Sequence, residues 1–323
     1  KGGNAIDAAV ATAATLTVVE PTSNGIGSDA FALVWIKDKL YGLNSSGPAP
    51  KNISIEKVKS LGYDEMPEHG FVPVTISGAP AAWAELSDRF GKLSLEETLK
   101  PAIEYAREGY PVSPITAKAW NKDFKKYKKK FKSEEFKEWF KVFSPKGRAP
   151  HPGEIWNSKD HASTLSEIAA TKAESFYRGN LADKIDKFSS KYNGFIRKED
   201  LADFRPEWVE PISINYRGYD VWEIPPNGQG LITLMTLNIL KDYDENIIDN
   251  MIISPEETSA YTVVLNPPAT DRIFLHYPGP NDTFGAEDID IKKIEEADIF
   301  HFGYPPLMKG MYENEGRELI NIF

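Results

Sequence analysis

The sequence contains no cysteine, and that absence removes several kinds of chemistry at once. Without cysteine there is no disulfide bond, no thiolate metal site and no cysteine nucleophile. No apolar run approaches the roughly 20 residues that a membrane-spanning helix needs. The chain also lacks a P-loop and the G-x-S-x-G turn that presents a nucleophilic serine. Any reactive site must therefore be sought among its polar and glycine-rich segments.

Histidine is scarce as well, with five residues in a chain of 323. No two histidines have the i, i+4 spacing that places a pair of zinc ligands on one face of a helix. We expect each of them to be structural or exposed: His69, His151, His161, His276 and His301. The sequence thus predicts neither a bound metal nor a cofactor.

Charge is distributed unevenly along the chain, whose net charge is −10. Residues 245–323 hold 15 acidic and five basic residues, whereas residues 1–244 hold 33 of each sign. So sharp a change suggests two segments of different origin. Neither segment has the overall positive charge typical of a nucleic-acid-binding protein, and we predict neither a nucleic acid nor a membrane as partner.

Periodicity predicts the main elements of the first segment. Residues 8–19 are small and apolar on nearly all sides, which is typical of a buried helix. Residues 30–36 indicate a buried strand that turns back into a second strand at 40–43. A strand pair is predicted within 212–222, and a helix at 231–240. Beyond residue 244, predicted strands at 261–265, 272–276 and 298–302 and a helix from residue 311 favour an α/β arrangement.

One stretch, residues 118–148, is both basic and aromatic. It has 12 lysine or arginine residues against four acidic ones, with Phe124, Phe131, Phe136 and Phe140 interleaved. We interpret it as an amphipathic helical pair with a solvated basic face. The alternative, a nucleic-acid-binding surface that uses the same residue types, is less favoured.

Two glycine-rich turns are candidates for a binding site. The first contains Gly25 and Gly27 and lies between the predicted helix and strand. It can present backbone N–H groups to an oxyanion or carboxylate, or it can be a tight packing turn. The second, with Asn227 and Gly228, directly precedes a helix, whose N-terminus attracts anions. Its alternative interpretation is a plain helix cap.

Several longer motifs occupy residues 1–244. The chain opens with G-G-N-A-I-D-A-A-V at 2–10, and V-E-P and G-I-G follow within 19–27. S-G-A-P at 77–80 and the P-P-N-G-Q-G turn at 225–230 come later in the same order. Together these motifs resemble the large-subunit region of the γ-glutamyltransferase (γ-glutamyltranspeptidase) family.

The resemblance implies both a fold and a reaction. The family is an Ntn-hydrolase with an αββα arrangement, in which two stacked sheets lie between helix layers. It is made as one chain that cleaves itself, and the new N-terminal threonine of the small subunit is the nucleophile, with its own amine as base. The enzyme transfers the γ-glutamyl group of glutathione-like amides to an amino acid, a peptide or water. A small-molecule γ-glutamyl or other amide is thus the expected substrate.

The first departure from the family concerns substrate binding. The family motif D-x-R-E-x-A-P holds an arginine that pairs with the α-carboxylate of the donor, and here Ser46 occupies that position. Serine cannot form a bidentate, charge-assisted pair with a carboxylate. The acylase-like members of the family are therefore as good a guide as the glutamyl-transferring ones. The resemblance assigns these substrate-binding residues: Asn44, Ser45, Ser46, Gly25, Gly27, Asn227 and Gly228.

The second departure concerns catalysis. The chain contains no Thr-Thr pair, and the segment expected after Leu240 towards the cleavage site is absent. We therefore predict no catalytic residue in this chain, no activity of the chain alone, and a complementary small-subunit chain as its partner. Because the chain starts at Lys1 inside a helix start, we expect its N-terminus to be truncated. The compartment is left undetermined, and a homo-oligomer is left open.

The tail has a different resemblance. Strand-like runs at 261–265 and 271–276 precede P-G-P-N at 278–281. These features resemble sugar kinases of the ribokinase (PfkB) family, and they assign Asn281 to a kinase-like site. A nearby D-T-F-G-A-E-D run is a poor match, because Glu287 would place a carboxylate where phosphate should bind. The prediction is a γ-glutamyltransferase-like portion at 1–244 and an α/β ribokinase-like fragment at 245–323. A carbohydrate kinase and an inactive fusion of two fragments are the alternative functions.

Overall fold

The structure is a computed structural model. It describes residues 2–241, 260–265, 273–295, 300, 302–303 and 308–322. The chain divides into two compact units, Lys1–Lys241 and Asp242–Phe323, close to the change in charge at residue 244. Within the described ranges no helix is both long and apolar enough to cross a membrane.

Helices make up most of the first unit. In chain order they are α1 Ala5–Val19, α2 Ile55–Ser60, α3 Ala79–Phe90, α4 Leu95–Glu108, α5 Pro114–Lys130, α6 Lys137–Phe143, α7 Lys159–Thr171, α8 Glu174–Arg178, α9 Asn180–Lys191, α10 Lys198–Asp203 and α11 Gly230–Leu240. A short 3-10 turn, Glu134–Phe136, joins α5 to α6. The predicted helical pair in the basic segment is therefore confirmed.

Helix α1 begins with a capping box. The side chain of Asn4 accepts hydrogen bonds from the backbone N–H groups of Ile6 and Asp7, and the Asp7 carboxylate accepts from the backbone N–H of Asn4 at 2.8 Å. The same carboxylate accepts from the N–H groups of Lys92 (3.1 Å) and Leu93 (3.3 Å), in the turn between α3 and α4. One buried aspartate thus fixes the start of α1 and its place against the next helical layer.

The strands of the first unit form small antiparallel sheets. The strands are β1 Ala30–Ile36, β2 Lys39–Ser45, β3 Tyr110–Pro111, β4 Ile155–Trp156, β5 Glu207–Val209, β6 Ile212–Tyr216 and β7 Tyr219–Glu223. They pair in the order β1-β2-β5, with β3-β4 and β6-β7 as separate pairs. Both predicted hairpins are confirmed. Their two-residue turns, Lys37–Asp38 and Arg217–Gly218, have positive φ at both positions, which matches the twist of the strands they join.

The main core lies among α1, α3, α4 and α7. Helix α4 has buried apolar residues at three-and-four spacing, and Leu99 at its centre is fully buried. Leu165 and Ile168 of α7 meet it with no exposed surface. Each such side chain contributes about 1.5–3 kcal/mol relative to an exposed position. This core supports the turns at which the candidate site residues lie.

The predicted burial of β1 is wrong for one of its faces. Val34 is buried, but Phe31, Leu33 and Trp35 on the other face are 47%, 40% and 64% exposed. Successive side chains of a strand point to opposite faces, and within the described residues no layer covers this one. We call Phe31, Leu33 and Trp35 the β1 apolar face.

Two apolar helices are also only partly covered, and for α1 this departs from the predicted burial. Helix α1 buries Val10, Ala14 and Val18, whereas its positions 8, 9, 12 and 13 are exposed. In α11 only Leu234 is fully buried, and Ile232, Met235 and Ile239 are 54%, 52% and 60% exposed. Exposed apolar residues grouped in this way mark interaction surfaces more often than free surface. We call these three residues the α11 apolar face.

The second unit contains one strand pair and several short helices. Strands β8 Tyr261–Leu265 and β9 Ile273–Tyr277 are antiparallel. The helical segments are Gly279–Asp282, Ala286–Asp288, Ile291–Glu295, Lys309–Tyr312, Asn314–Gly316 and Arg317–Ile322. The helix predicted from residue 311 is interrupted, because Glu315 and Gly316 have positive φ. Most of the strand predicted at 298–302 lies outside the described residues, and Phe300 and Phe302 are not in a strand.

Candidate functional site

Three of the predicted site residues form a closed hydrogen-bonded ring. Asn44 Nδ2 donates to Asn227 Oδ1 at 2.9 Å, Asn227 Nδ2 donates to Ser46 Oγ at 2.5 Å, and Ser46 Oγ donates to Asn44 Oδ1 at 2.9 Å. We call these three side chains the polar ring. Because each member both donates and accepts around the cycle, the bonds strengthen one another. The ring joins the end of β2 to the turn before α11.

Ser45, between two members of the ring, has a different role. It is the last residue of β2 and is fully buried, and its Oγ donates to the carbonyl oxygen of Gly78 at 2.7 Å. The alternation of the strand turns Ser45 towards α3, while its neighbours face the other side. Ser45 therefore anchors the strand end and does not contact the cavity beside the ring.

A cavity of about 430 Å³ lies against the polar ring. We call it the site cavity. One wall is the ring with Gly47, Pro48 and Pro226, and the other is the segment from Asp203 to Glu207. The two walls meet because β5 pairs with β2, which places Glu207 directly opposite Asn44. Its volume lies within the range of small-molecule sites, about 300–1,000 Å³.

The charged residues of the site cavity nearly balance once their ion pairs are counted. Asp203, Arg205 and Glu207 line it, so that two carboxylates accompany one guanidinium. Nη1 of Arg205 donates to the carbonyl oxygens of Ala202 (2.8 Å) and Phe204 (2.6 Å), which holds this side chain to its own segment. Asp203 is paired with Lys51. The polar ring itself has no charge.

Gly25 and Gly27 do not line the site cavity. Both have negative φ, and their turn is closed by a hydrogen bond from the N–H of Ser28 to the carbonyl of Gly25 at 3.1 Å. The carbonyl of Ser28 then accepts from the N–H groups of Gly78 and Ala79, at the start of α3. These contacts are those of a packing turn. A role for the two glycines in substrate binding stays a prediction.

The turn before α11 places its residues unequally. Asn227 belongs to the polar ring, whereas Gly228 has no heavy atom within 4 Å of the position where a Cβ would stand. A Cβ on Gly230 would stand 2.3 Å from Glu223 Oε2, so a carboxylate of the chain itself lies at this helix N-terminus. The positive end of the helix dipole is thus already matched by a negative group.

Asn281 lies in the second unit, in the 3-10 turn Gly279–Asp282. Its backbone N–H donates to the carbonyl of Pro278 at 3.1 Å. Nearby, the N–H of Gly285 donates to Asp288 Oδ2 at 2.8 Å. Asp282 of the same turn accepts a hydrogen bond through Oδ1 from the backbone N–H of Lys309 at 3.3 Å. The kinase-like role of Asn281 stays a prediction. In the described part of the chain no cluster of three or more potential metal ligands occurs.

Residues 1–263 match the family described as Gamma-glutamyltranspeptidase. The chain belongs to this family. The match extends 19 residues past residue 244, so the family portion is longer than the sequence motifs indicated. It includes Tyr261–Val263, the beginning of a strand on which the resemblance to a kinase depends. The ribokinase resemblance of the residues beyond 263 stays a prediction.

Three similar proteins give the range of activities in this family. The glutathione hydrolase-like YwrD proenzyme of Bacillus subtilis (strain 168) is 36% identical over 255 residues, which are 77% of this chain and 47% of that protein. The solved cephalosporin acylase from Bacillus halodurans is 59% identical, with a TM-score of 0.74 over 75% of this chain and 46% of that one. The γ-glutamyltranspeptidase of Helicobacter pylori is 29% identical, with a TM-score of 0.69 over 76% of this chain and 71% of that one.

These matches show the mixed α/β fold of the Ntn-type family for the first unit, and they also show an incomplete overlap. The chain spans about half the length of the curated relatives it matches. The relatives are named as hydrolases, acylases and transpeptidases, several of them as proenzymes. All of these are acyl-transfer activities.

The sequence did not reveal the charged wall of the site cavity. Asp203, Arg205 and Glu207 come from a polar stretch with no motif, and only the pairing of β5 with β2 brings them to the ring. The Trp-Val pair at 208–209 indicates that β5 is a strand, but it does not indicate its partner. Nothing local specifies which strand this short segment pairs with.

Proposed function

We propose that this chain supplies the large-subunit side of an acyl-amide hydrolase or acyltransferase, with the acyl donor held in the site cavity. The observation that carries the proposal is the polar ring. It lies where the family resemblance places the arginine that pairs with the donor, and it replaces that charge with a neutral hydrogen-bonding surface. The reaction class follows from the family, and the donor class follows from the ring.

The ring favours a donor without a carboxylate at this position. Ser46 Oγ already accepts from Asn227 and donates to Asn44, so it has no free proton for a carboxylate. Among the described residues, Arg205 is the one cation that lines the site cavity, and its Nη1 already donates to the carbonyl oxygens of Ala202 and Phe204. An uncharged acyl group with a carbonyl or hydroxyl can instead exchange hydrogen bonds with the amides of the ring. We therefore favour an acylase-type donor over a γ-glutamyl donor.

The apolar faces supply the second part of the proposal. The β1 and α11 apolar faces present six large side chains, each at least 40% exposed. We propose that a complementary small-subunit chain covers them and completes the two-sheet, four-layer arrangement expected for the family. This second chain would carry the N-terminal threonine. Its hydroxyl would attack the amide carbonyl while its own amine takes the proton. The C–N bond would then break, the leaving amine would take that proton and depart, and water would hydrolyse the acyl ester to free the acid and the threonine hydroxyl.

The first test concerns the chain alone. Purified protein incubated with γ-glutamyl and butyryl p-nitroanilides should release no p-nitroaniline above background, because the nucleophile lies on the other subunit. Adding the part of the Bacillus halodurans cephalosporin acylase that this chain does not cover should restore release. Turnover by the chain alone would overturn the assignment of the nucleophile. A mixture that forms a stable complex without any activity would argue against the proposed reaction.

The second test concerns donor choice in the reconstituted enzyme. Replacing Ser46 with arginine restores a guanidinium fork, and a new charge-assisted pair is worth about 1.5–3 kcal/mol. We expect kcat/KM for γ-glutamyl relative to butyryl p-nitroanilide to rise by about tenfold or more. Ser46→Lys is the matched control, because it adds the charge without the fork and should give a smaller change. An unchanged ratio in Ser46→Arg would show that the ring does not contact the donor.

A further inference from the structure

A second cavity in the first unit is lined almost entirely by aromatic rings. Helix α5, the 3-10 turn after it and α6 bring together five side chains, none of them fully buried and none fully exposed. We call them the aromatic cluster: Tyr127, Phe131, Phe136, Trp139 and Phe140. Tyr127 and Trp139 meet edge to face with ring centroids 4.9 Å apart, and Phe131 stacks on Phe136 at 4.2 Å.

The space inside the cluster is large enough for a small ring compound. The cavity has a volume of about 240 Å³ and is completed by His69 and Gly70. For comparison, an engineered apolar cavity of about 150 Å³ in another protein is sufficient to bind benzene. The remaining volume allows for a short side chain on the ring. The site cavity and this cavity share no lining residue.

His69 supplies one polar atom to the aromatic cavity. Its Nδ1 lies 2.7 Å from the carbonyl oxygen of Glu68, to which it donates. Its Nε2 is buried and has no hydrogen-bond partner among the described residues, and Glu68 Oε2, at 3.6 Å, is too distant for a hydrogen bond. A neutral imidazole offers a lone pair at Nε2, and an imidazolium offers a proton there. A carboxylate accepts the proton that the imidazolium offers, and a protonated carboxyl group donates to the neutral form.

Positive charge lies beside the aromatic cavity. Lys128, Lys132 and Lys137 line an adjoining cavity of about 320 Å³, which shares Phe131 and Phe140 with the first. Residues 118–148 hold 12 basic residues against four acidic ones. Three nearby acids are each matched by a lysine: Glu68 by Lys130, Glu134 by Lys137, and Glu138 by Lys141. The excess of lysine disfavours a cation, which an aromatic cage would otherwise attract, and favours an anion.

We propose that the aromatic cavity binds a small apolar carboxylic acid, with the ring or chain of the ligand among the aromatic side chains and its carboxyl group at His69, in the field of the neighbouring lysines. The shape of the cavity selects the apolar part, and the charge beside it selects the anionic part. This site is separate from the donor site, and it does not depend on the proposed acyl-transfer reaction.

The test uses 3-phenylpropionate with two controls, 3-phenyl-1-propanol, which keeps the ring without the charge, and propionate, which keeps the charge without the ring. The protein is labelled with 5-fluorotryptophan, and the ¹⁹F resonance of Trp139 is identified among those of the seven tryptophans by Trp139→Phe. We expect a saturable shift of this resonance with 3-phenylpropionate. Binding of the alcohol should be at least about fivefold weaker, because a charge-assisted contact is lost. Propionate should give no shift.

Three variants test whether the charged groups beside the cavity contribute to binding of the carboxylate. Replacing Lys128, Lys132 and Lys137 together with glutamine should weaken binding of 3-phenylpropionate at least about fivefold and leave binding of the alcohol unchanged. The matched control is the same triple change at Lys118, Lys122 and Lys125, which line neither cavity and should change the affinity less than about twofold. His69→Gln, which retains a polar side chain, should weaken the binding of 3-phenylpropionate more than the binding of the alcohol.

Three results would overturn the proposal. One is a Trp139 resonance that does not respond to 3-phenylpropionate up to about 10 mM, a concentration that would detect even a weak site. Another is equal affinity for the acid and the alcohol, which would show a purely apolar cavity. The last is equal weakening by the two lysine triples, which would show a general effect of net charge and no site.

Discussion

Replacing Gly47 with alanine should abolish the native structure around the site cavity and lower the free energy of unfolding by about 4 kcal/mol or more. A Cβ at this position would stand 1.5 Å from the carbonyl oxygen of Ile76 and 2.4 Å from its carbonyl carbon. Both are backbone atoms, so no side chain can rotate away. The two segments are also joined by the N–H of Ile76, which donates to the carbonyl of Pro48 at 3.0 Å. Alanine must separate them.

Urea unfolding followed by tryptophan fluorescence measures this change. Gly228→Ala is the matched control, since it lies in the other turn beside the cavity, has no atom within 4 Å of the new Cβ and does not have a positive φ. We expect the control to change stability by less than about 0.5 kcal/mol. A Gly47→Ala protein within about 1 kcal/mol of the wild type would show that this backbone contact is not present in solution.

Gly78 makes the reciprocal contact. A Cβ there would stand 1.7 Å from the carbonyl oxygen of Ser45, whose side chain in turn donates to the carbonyl of Gly78. The two glycines let the end of β2 lie directly against the segment before α3. Gly47→Ala and Gly78→Ala force the same two segments apart. The double variant should therefore lose less stability than the sum of the losses in the two single variants.

Replacing Asp7 with alanine should lower the free energy of unfolding by about 3 kcal/mol or more. The carboxylate is 4% exposed and accepts from the backbone N–H groups of Asn4, Lys92 and Leu93. Each buried donor left without a partner costs about 1–3 kcal/mol. Asp160→Ala is the matched control, because Asp160 also lies in the first turn of a helix but is exposed. Asp160→Ala should lower the free energy of unfolding by less than about 1 kcal/mol.

The contribution of Asp7 should depend on pH in the acidic range. Burial raises the pKa of its carboxyl group, but the hydrogen bonds from Asn4, Lys92 and Leu93 outweigh that effect and hold the pKa below the ordinary value of 3.8. A lowered pKa in the folded state gives a stabilisation that is fully present above pH 3.8 and is lost as the pH falls through the folded value. The difference in stability between wild type and Asp7→Ala should therefore shrink below about pH 4. A difference that stays constant down to pH 2 would contradict this role.

The sequence predicted the local elements better than the partners of those elements. The hairpins at Lys37–Asp38 and Arg217–Gly218 follow from short-range signals, and the apolar run of α11 predicted its helix closely. Burial was predicted less well, because an apolar residue indicates that a surface will be covered but does not say by which chain. The exposed residues of β1 and α1, both of which were predicted to be buried, are the result.

The site shows the same limit. The resemblance pointed to Asn44, Ser46 and Asn227, and the structure joins all three. It does not bring Gly25, Gly27 or Ser45 to the cavity, because strand alternation and the packing of a turn against α3 decide where those residues point. Side-chain direction depends on which face of an element meets the core, and a motif does not encode that choice.

The polar ring joins positions that are 181 and 183 residues apart in the chain. Closing so long a loop is costly in entropy until the segments between its ends are already compact. The helices α1, α3, α4 and α7 lie closer to one another in the chain and bury more apolar surface, so we expect their core to form first and the ring to close last. The site cavity would then exist only in molecules whose first unit has finished folding. A chain still emerging from the ribosome would have no site at which to bind an acyl compound.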